Sequence, residues 1–188
     1  MSKRRVRTLV WAVLGALALG FLAYLAVGAN GPDDPHLASS PPPTAATAAS
    51  AVRTPVPGFG EVAFGLGSGS GGAAERCALL AETSAQLQRG LMGRTDLAGY
   101  DAMVFRFAAD TEGPFFMRNV PVPLEIAWFG ADGRFVSSAE MAPCADREGC
   151  SLYSPAGPYR YALEVEATGL ARLGVDRRSV LTLGGACP

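Results

Sequence analysis

Histidine and lysine are almost missing from this 188-residue chain: the only imidazole is His36 and the only amine side chain is Lys3. Both lie outside the part that reads as folded. A Ser-His-Asp or Cys-His catalytic unit, a histidine metal site, a Schiff-base lysine and a phosphate-loop lysine are therefore all absent from that part. A surplus of charge of either sign is missing too. Sixteen basic residues against seventeen acidic ones leave a formal charge of −1, so the long-range field that draws a protein onto nucleic acid is lacking and no nucleic-acid partner is expected. Serines such as Ser137, Ser138 and Ser151 have no imidazole or amine base to activate them, and an unassisted serine is a poor nucleophile.

What is present divides the chain into three parts. Four positive charges in Ser2–Arg7 precede a charge-free run from Leu9 to Val27. As a helix at about 1.5 Å per residue, this run matches the roughly 30 Å hydrocarbon core of a bilayer. The positive flank is expected to stay in the cytoplasm and the rest of the chain to be exported. Residues 1–29 thus read as a transmembrane anchor. A signal peptide cleaved near Val27-Gly28-Ala29 is the alternative, although its apolar region normally spans only about 7–15 residues. Either reading places the remainder outside the cytoplasm.

Residues 30–57 carry seven of the fourteen prolines, mixed with Ala, Ser and Thr. Such a stretch buries too little apolar surface to offset its ordering entropy and reads as a disordered linker. The domain proper is expected at 58–188, with a core at 75–184 and a Gly/Ser-rich insertion at 65–74. That insertion lacks the Lys-Ser/Thr and the following helix of a phosphate loop.

Within the domain the apolar pattern has the period of strands. Met103, Phe105 and Phe107 alternate with Val104 and Arg106, and Phe115, Met117 and Asn119 with Phe116 and Arg118. Leu124, Ile126 and Trp128 alternate with Glu125 and Ala127, and Tyr161, Leu163 and Val165 with Ala162, Glu164 and Glu166. Further strands are expected at 61–65, 77–82 and 179–183. Gly130-Ala-Asp-Gly133 has the turn chemistry of a hairpin. Thr83 and Gln86 have capping-box spacing for a short helix ending near Gly90, and a second helix near Thr168–Leu173 is expected to stop at Gly174. The fold class is mainly β (α+β): a compact β-sandwich or partly closed barrel of seven or eight short strands with two short helices.

Four cysteines, an even number, suit disulfides in an exported domain. Three pairings are possible; Cys144 with Cys150 and Cys77 with Cys187 are favoured, because the first two flank a polar loop and the others sit near the domain ends. A metal site is the weaker reading, since Cys-x5-Cys is wider than structural zinc prefers and methionines such as Met92, Met103, Met117 and Met141 are usual core filler. No Cys-x-x-Cys redox motif occurs. No metal and no cofactor are expected.

Taken in order, Gln88-Arg-Gly-Leu-Met-Gly-Arg94, Met103-Val-Phe105, Phe116-Met-Arg-Asn119, Pro123-Leu-Glu-Ile126, Asp132-Gly133, Pro143-Cys144 with Cys150, and Leu163-Glu-Val165 resemble the DUF192 family, also called UPF0127. The resemblance covers most of 77–183. It implies a small, mostly β domain, frequently exported, and brings no catalytic residue, since the family's biochemical role is unassigned. Arg118, Val120 and Glu125 stand where lysine, threonine and aspartate are common in the family.

Inside that pattern a polar and aromatic set forms the candidate binding surface: Arg89, Met92, Arg94, Phe116, Arg118, Asn119, Glu125 and Trp128. Arginine forks take carboxylate or phosphate and an aromatic plane takes a ring or sugar, so a small ligand, an envelope polymer or a partner protein is a reasonable occupant. Against this stands an architectural reading, in which Arg89 or Arg118 pairs with Glu125 or Glu82 in a buried bridge. Trp128 also reads as core. A carboxylate-dependent hydrolase drawing on Glu82, Glu125, Glu164 or Glu166 is the enzymatic alternative, although acids on strands are most often solvated surface. A purely structural envelope accessory is the third.

Overall fold

The computed structural model describes residues 52–67 and 75–187. The proposed anchor or signal peptide at 1–29, most of the linker and most of the Gly/Ser-rich insertion lie outside these residues. Among the described residues no helix is long and apolar enough to cross a membrane.

Among the described residues nine strands and two short helices follow one another: β1 (Gly60–Gly67), β2 (Arg76–Ala81), α1 (Ser84–Arg89), β3 (Ala102–Thr111), β4 (Phe115–Phe116), β5 (Leu124–Phe129), β6 (Phe135–Met141), β7 (Leu152–Tyr153), β8 (Tyr159–Glu166), α2 (Gly169–Leu173) and β9 (Val180–Leu183). Seven strands form one sheet in the order β6-β5-β8-β3-β2-β1-β9, and β4 pairs with β7 in a small second sheet. Only β2 and β3 run parallel, because the crossover between them carries α1; the other neighbours are antiparallel.

The large sheet curls until its ends meet. Phe135 N donates to Ser179 O at 3.0 Å and Leu181 N to Gly133 O at 2.8 Å, an isolated bridge joining Arg134 to Val180. Gly133 is required here. Its φ is +75°, and a Cβ would stand 2.2 Å from Leu181 O. The result is a half-barrel, the partly closed form of the expected β architecture, with both edge strands protected at one end.

Alternation gives the sheet two apolar faces. One packs Phe64, Leu80, Val104, Phe129, Leu163 and Leu181 with Phe135, and so draws on both ends of the sheet: it is the face enclosed by the curl. The opposite face packs Leu79, Met103, Phe105, Ile126, Trp128 and Tyr159 beneath the loops that cross it. Helix α1 lies on this outer side. Its capping box is formed, Gln86 N donating to Thr83 Oγ1 at 3.3 Å and Thr83 N to Gln86 Oε1 at 2.9 Å, and Gln86 Nε2 reaches Gly58 O at 2.8 Å.

Three local expectations are corrected. The strand expected through Asn119 stops at Phe116, because Pro121 and Pro123 offer no ladder donors and Asn119 turns into the left-handed region at φ +57°. Gly65–Gly67 continue β1 instead of opening the insertion. Val52–Pro57, the end of the stretch read as linker, lie on the domain: Thr54 N donates to Ala98 O at 2.9 Å and Val56 is buried.

Both favoured cysteine pairs are bonded, Cys77 to Cys187 and Cys144 to Cys150. The first joins β2 to the last turn of the domain across 110 residues of sequence, where closing so long a loop is nominally worth about 4–5 kcal/mol.

Candidate functional site

On the outer face, between the sheet and the segments covering it, lies a cavity of about 570 Å³. The end of α1 and the turn after it supply Leu87, Arg89 and Met92; Gly90 allows the close approach, since a Cβ there would be 3.2 Å from the Phe105 ring. Strand β3 supplies Phe105, Phe107 and Thr111, and the β4 segment Phe115 and Phe116. Strand β8 supplies Tyr159 and Glu164. A register shift between Arg106 and Thr111 of β3 lies opposite the start of β8. Tyr159 and Ala162, three residues apart, both join the outer-face cluster there, which strict alternation would forbid.

The walls are mainly aromatic. Phe105 meets Phe115 edge-on at 5.1 Å between centroids, and Phe107 meets Tyr159 edge-on at 5.3 Å. Tyr159 is buried and its hydroxyl donates to Gly113 O at 2.8 Å. Burial pushes that phenol up to about 12.

Glu164 is the exception in this apolar wall. It pairs with Met103 on one side and Ile126 on the other, near the middle of the sheet, and is only 5% exposed. Among the described residues no donor and no cation reaches its carboxyl. Burial alone raises its pKa from 4.5 to about 8, so the group is mostly protonated at neutral pH. A neutral carboxyl can both donate and accept a hydrogen bond, and when ionised it is an uncompensated charge in an apolar setting. A larger hollow of about 710 Å³ beside β6 and α2 lacks any such group, since its lining residues are exposed or half-buried.

Of the eight residues expected to form the binding surface, Arg89, Met92 and Phe116 line this cavity. The others go elsewhere. Arg94 Nη2 binds Asp96 Oδ1 at 3.1 Å, and Asn119 serves the turn, its backbone oxygen accepting from Gly93 N at 2.7 Å. Glu125 Oε2 accepts from Leu170 N at 2.9 Å and so fixes α2 to the sheet. Trp128 is wholly buried, and its Nε1 has no hydrogen-bond partner.

The architectural pairings form with different partners from those expected. Arg118 Nε binds Asp146 Oδ1 at 2.7 Å, tying the strand exit to the Cys144–Cys150 loop, and Glu82 pairs with Arg106. Both bridges are exposed, not buried. Arg89 places its guanidinium over the Phe59 ring, 5.8 Å from the centroid. Among the described residues no carboxylate other than Glu164 lines the cavity, so they do not form there the two-acid arrangement that glycoside hydrolysis needs.

Phe105, Phe107, Phe115 and Tyr159 read in sequence as core, and Glu164 as one of four acids on strands. A signal for Glu164 did exist: Ala162, Leu163 and Val165 are apolar on both parities, as in a strand covered on both faces, which leaves no solvated side for an acid between them.

The fold and the cavity together define a class: a disulfide-stapled half-barrel with one aromatic cavity on its outer face. The family follows from the sequence match. Residues 69–183 match the DUF192 family, described as Uncharacterized ACR, COG1430, and the chain belongs to it. A Sinorhizobium meliloti 1021 protein described as a proposed transcription regulator is similar in structure, with a TM-score of 0.58 and 25% identity over 66% of this chain and 95% of that one. A Novosphingobium aromaticivorans DSM 12444 protein of unknown function is similar at a TM-score of 0.56 and 31% identity, covering 76% of this chain and 99% of that one. No curated protein matches the chain.

Proposed function

We propose that this domain is a non-catalytic binder of a small, largely apolar ligand, held in the aromatic cavity with Glu164 as its polar anchor. One observation carries the reading: a carboxyl 5% exposed, with no donor among the described residues, on the wall of an open cavity. Unsatisfied buried polar groups are costly, and a ligand that completes the hydrogen bonding or supplies a compensating charge offsets that cost. A base and nucleophile pair is not assembled around it, which favours binding over turnover.

The setting is extracytoplasmic. The two disulfides fit an oxidising environment, and the basic, apolar N-terminal sequence supplies either a membrane anchor or an export signal. With a net charge of −1 the chain lacks the field expected of a nucleic-acid binder, so the regulator description of the Sinorhizobium protein is not carried over. Docking of an envelope polymer or partner protein is the second reading. It is favoured by Phe116 and Leu152, which face each other across β4 and β7 and are 44% and 66% exposed.

A thermal-shift screen of small aromatic compounds against the full chain tests the first reading. At least one compound is expected to raise the melting midpoint in proportion to the logarithm of its concentration. Met92→Trp, which fills the cavity mouth, is expected to abolish that rise without lowering the ligand-free midpoint. A rise unaltered by Met92→Trp, or no rise with any compound, counts against the cavity.

A further inference from the structure

The electrostatics of the cavity narrow the ligand class. Carboxyl and rings form a site that is complete in shape but unbalanced in charge. Among the described residues no cation compensates Glu164. Its neighbours across the sheet are Met103 and Ile126; Thr111 and Tyr159 contribute hydroxyls, and the Tyr159 hydroxyl is already committed to Gly113 O. Arg89, the one basic residue of the lining, is exposed at the rim and stacks over Phe59, which is not a lining residue. Aromatic faces carry negative potential, so they disfavour a bare carboxylate and favour a cation beside them.

Resting on the binding reading above, we propose that the cavity receives an organic ammonium ion, its positive nitrogen pairing with the Glu164 carboxylate and its apolar body lying among Phe105, Phe107, Phe115 and Tyr159. An anionic ligand would meet the negative ring faces with its own charge, and neither it nor a neutral one would draw the proton off the carboxyl. Binding of a cation exchanges one positive charge for another: the Glu164 O–H gives its proton to solvent as the ammonium arrives. Because the empty site holds that proton up to about pH 8, affinity must rise with pH below that value.

Titration calorimetry on the full chain tests this with three probes of similar size: benzyltrimethylammonium, whose charge is fixed, neutral benzyl alcohol and anionic phenylacetate. Benzyltrimethylammonium is expected to bind on the order of 100-fold more tightly at pH 9 than at pH 6, by proton linkage alone. Measured in buffers of different ionisation enthalpy at pH 6, the unmodified protein should release close to one proton per ligand bound. Glu164→Gln should remove the pH dependence and weaken binding at pH 9 at least tenfold. Equal affinity at both pH values, absence of proton release, or full retention of affinity in Glu164→Gln would overturn the ammonium assignment. If benzyl alcohol or phenylacetate binds and benzyltrimethylammonium does not, the assignment falls and small-ligand binding stands. If none of the three binds, both fall.

Discussion

The two faces of the curled sheet are built from the same strands by the same alternation, yet they differ in kind. On the enclosed face, Phe64, Val104, Phe129 and Leu163 are fully buried, and the half-buried acid of that side, Glu125, is satisfied by Leu170 N at 2.9 Å. The outer face is just as apolar in composition, but it holds a buried indole N–H without a partner and a carboxyl that no donor reaches among the described residues, and it opens into a cavity of about 570 Å³. A buried face that satisfies every atom is complete without anything else, whereas one that leaves polar atoms unmatched is a place for something to bind. The enclosed face supplies stability and the outer face chemistry.

Neighbouring residues in β5 give the sharpest test of this contrast, because Trp128 and Phe129 are both wholly buried on opposite faces. Phe129→Ala should cost about 3–5 kcal/mol in chemical denaturation, as for other large aromatic truncations. Trp128→Phe should cost less than about 1.5 kcal/mol, because the lost area is partly offset by removal of an unsatisfied donor. Similar losses at the two positions would show that the indole N–H is satisfied and that the faces do not differ there.

The pH dependence of stability comes next in size. Below the ordinary pKa of 4.5, Glu164 is protonated folded and unfolded; between 4.5 and about 8 only the folded state keeps the proton. Stability should therefore fall as pH rises through that window, with a slope of about 1.4 kcal/mol per pH unit from this group, and level off above it. Urea unfolding at pH 5, 6.5 and 8 measures the slope, and Glu164→Gln should flatten it. A slope unchanged by the substitution would place the carboxyl in water and erase the main polar difference between the faces.

The smallest effect belongs to the surface. Arg118 and Asp146 form a bridge whose side chains are 48% and 62% exposed, so Arg118→Ala should change stability by less than about 1 kcal/mol and leave ligand binding in the cavity intact. Loss of binding on this substitution would move the site towards the Cys144–Cys150 loop.

Much of the architecture was legible because its signals are local. Thr83 and Gln86 specify a capping box, Gly133 a tight turn and the alternation at 124–128 a strand, each through geometry spanning only a few residues. The β family resemblance likewise rests on short motifs in order. The site was harder to read. Arg89, Met92 and Phe116 were identified because the turn and the strand edge that carry them are marked by glycine and aromatic residues, but Arg94, Arg118 and Glu125 looked equivalent in sequence and differ only in the partners that folding gives them.

By itself the sequence determined the β character of the domain, the position of its short helices, the even set of cysteines and the scarcity of imidazole and amine groups, since each is a property of residue type and near-neighbour spacing. Only the tertiary structure decided that β8 lies between β5 and β3, and with that the fate of Glu164. An acid on an edge strand stays in water; the same acid between two neighbours, under a layer of aromatic rings, loses its solvent and acquires a pKa near 8. Burial is set by residues distant along the chain: the apolar pattern at 162–165 marks a strand covered on both faces but does not say which elements cover it.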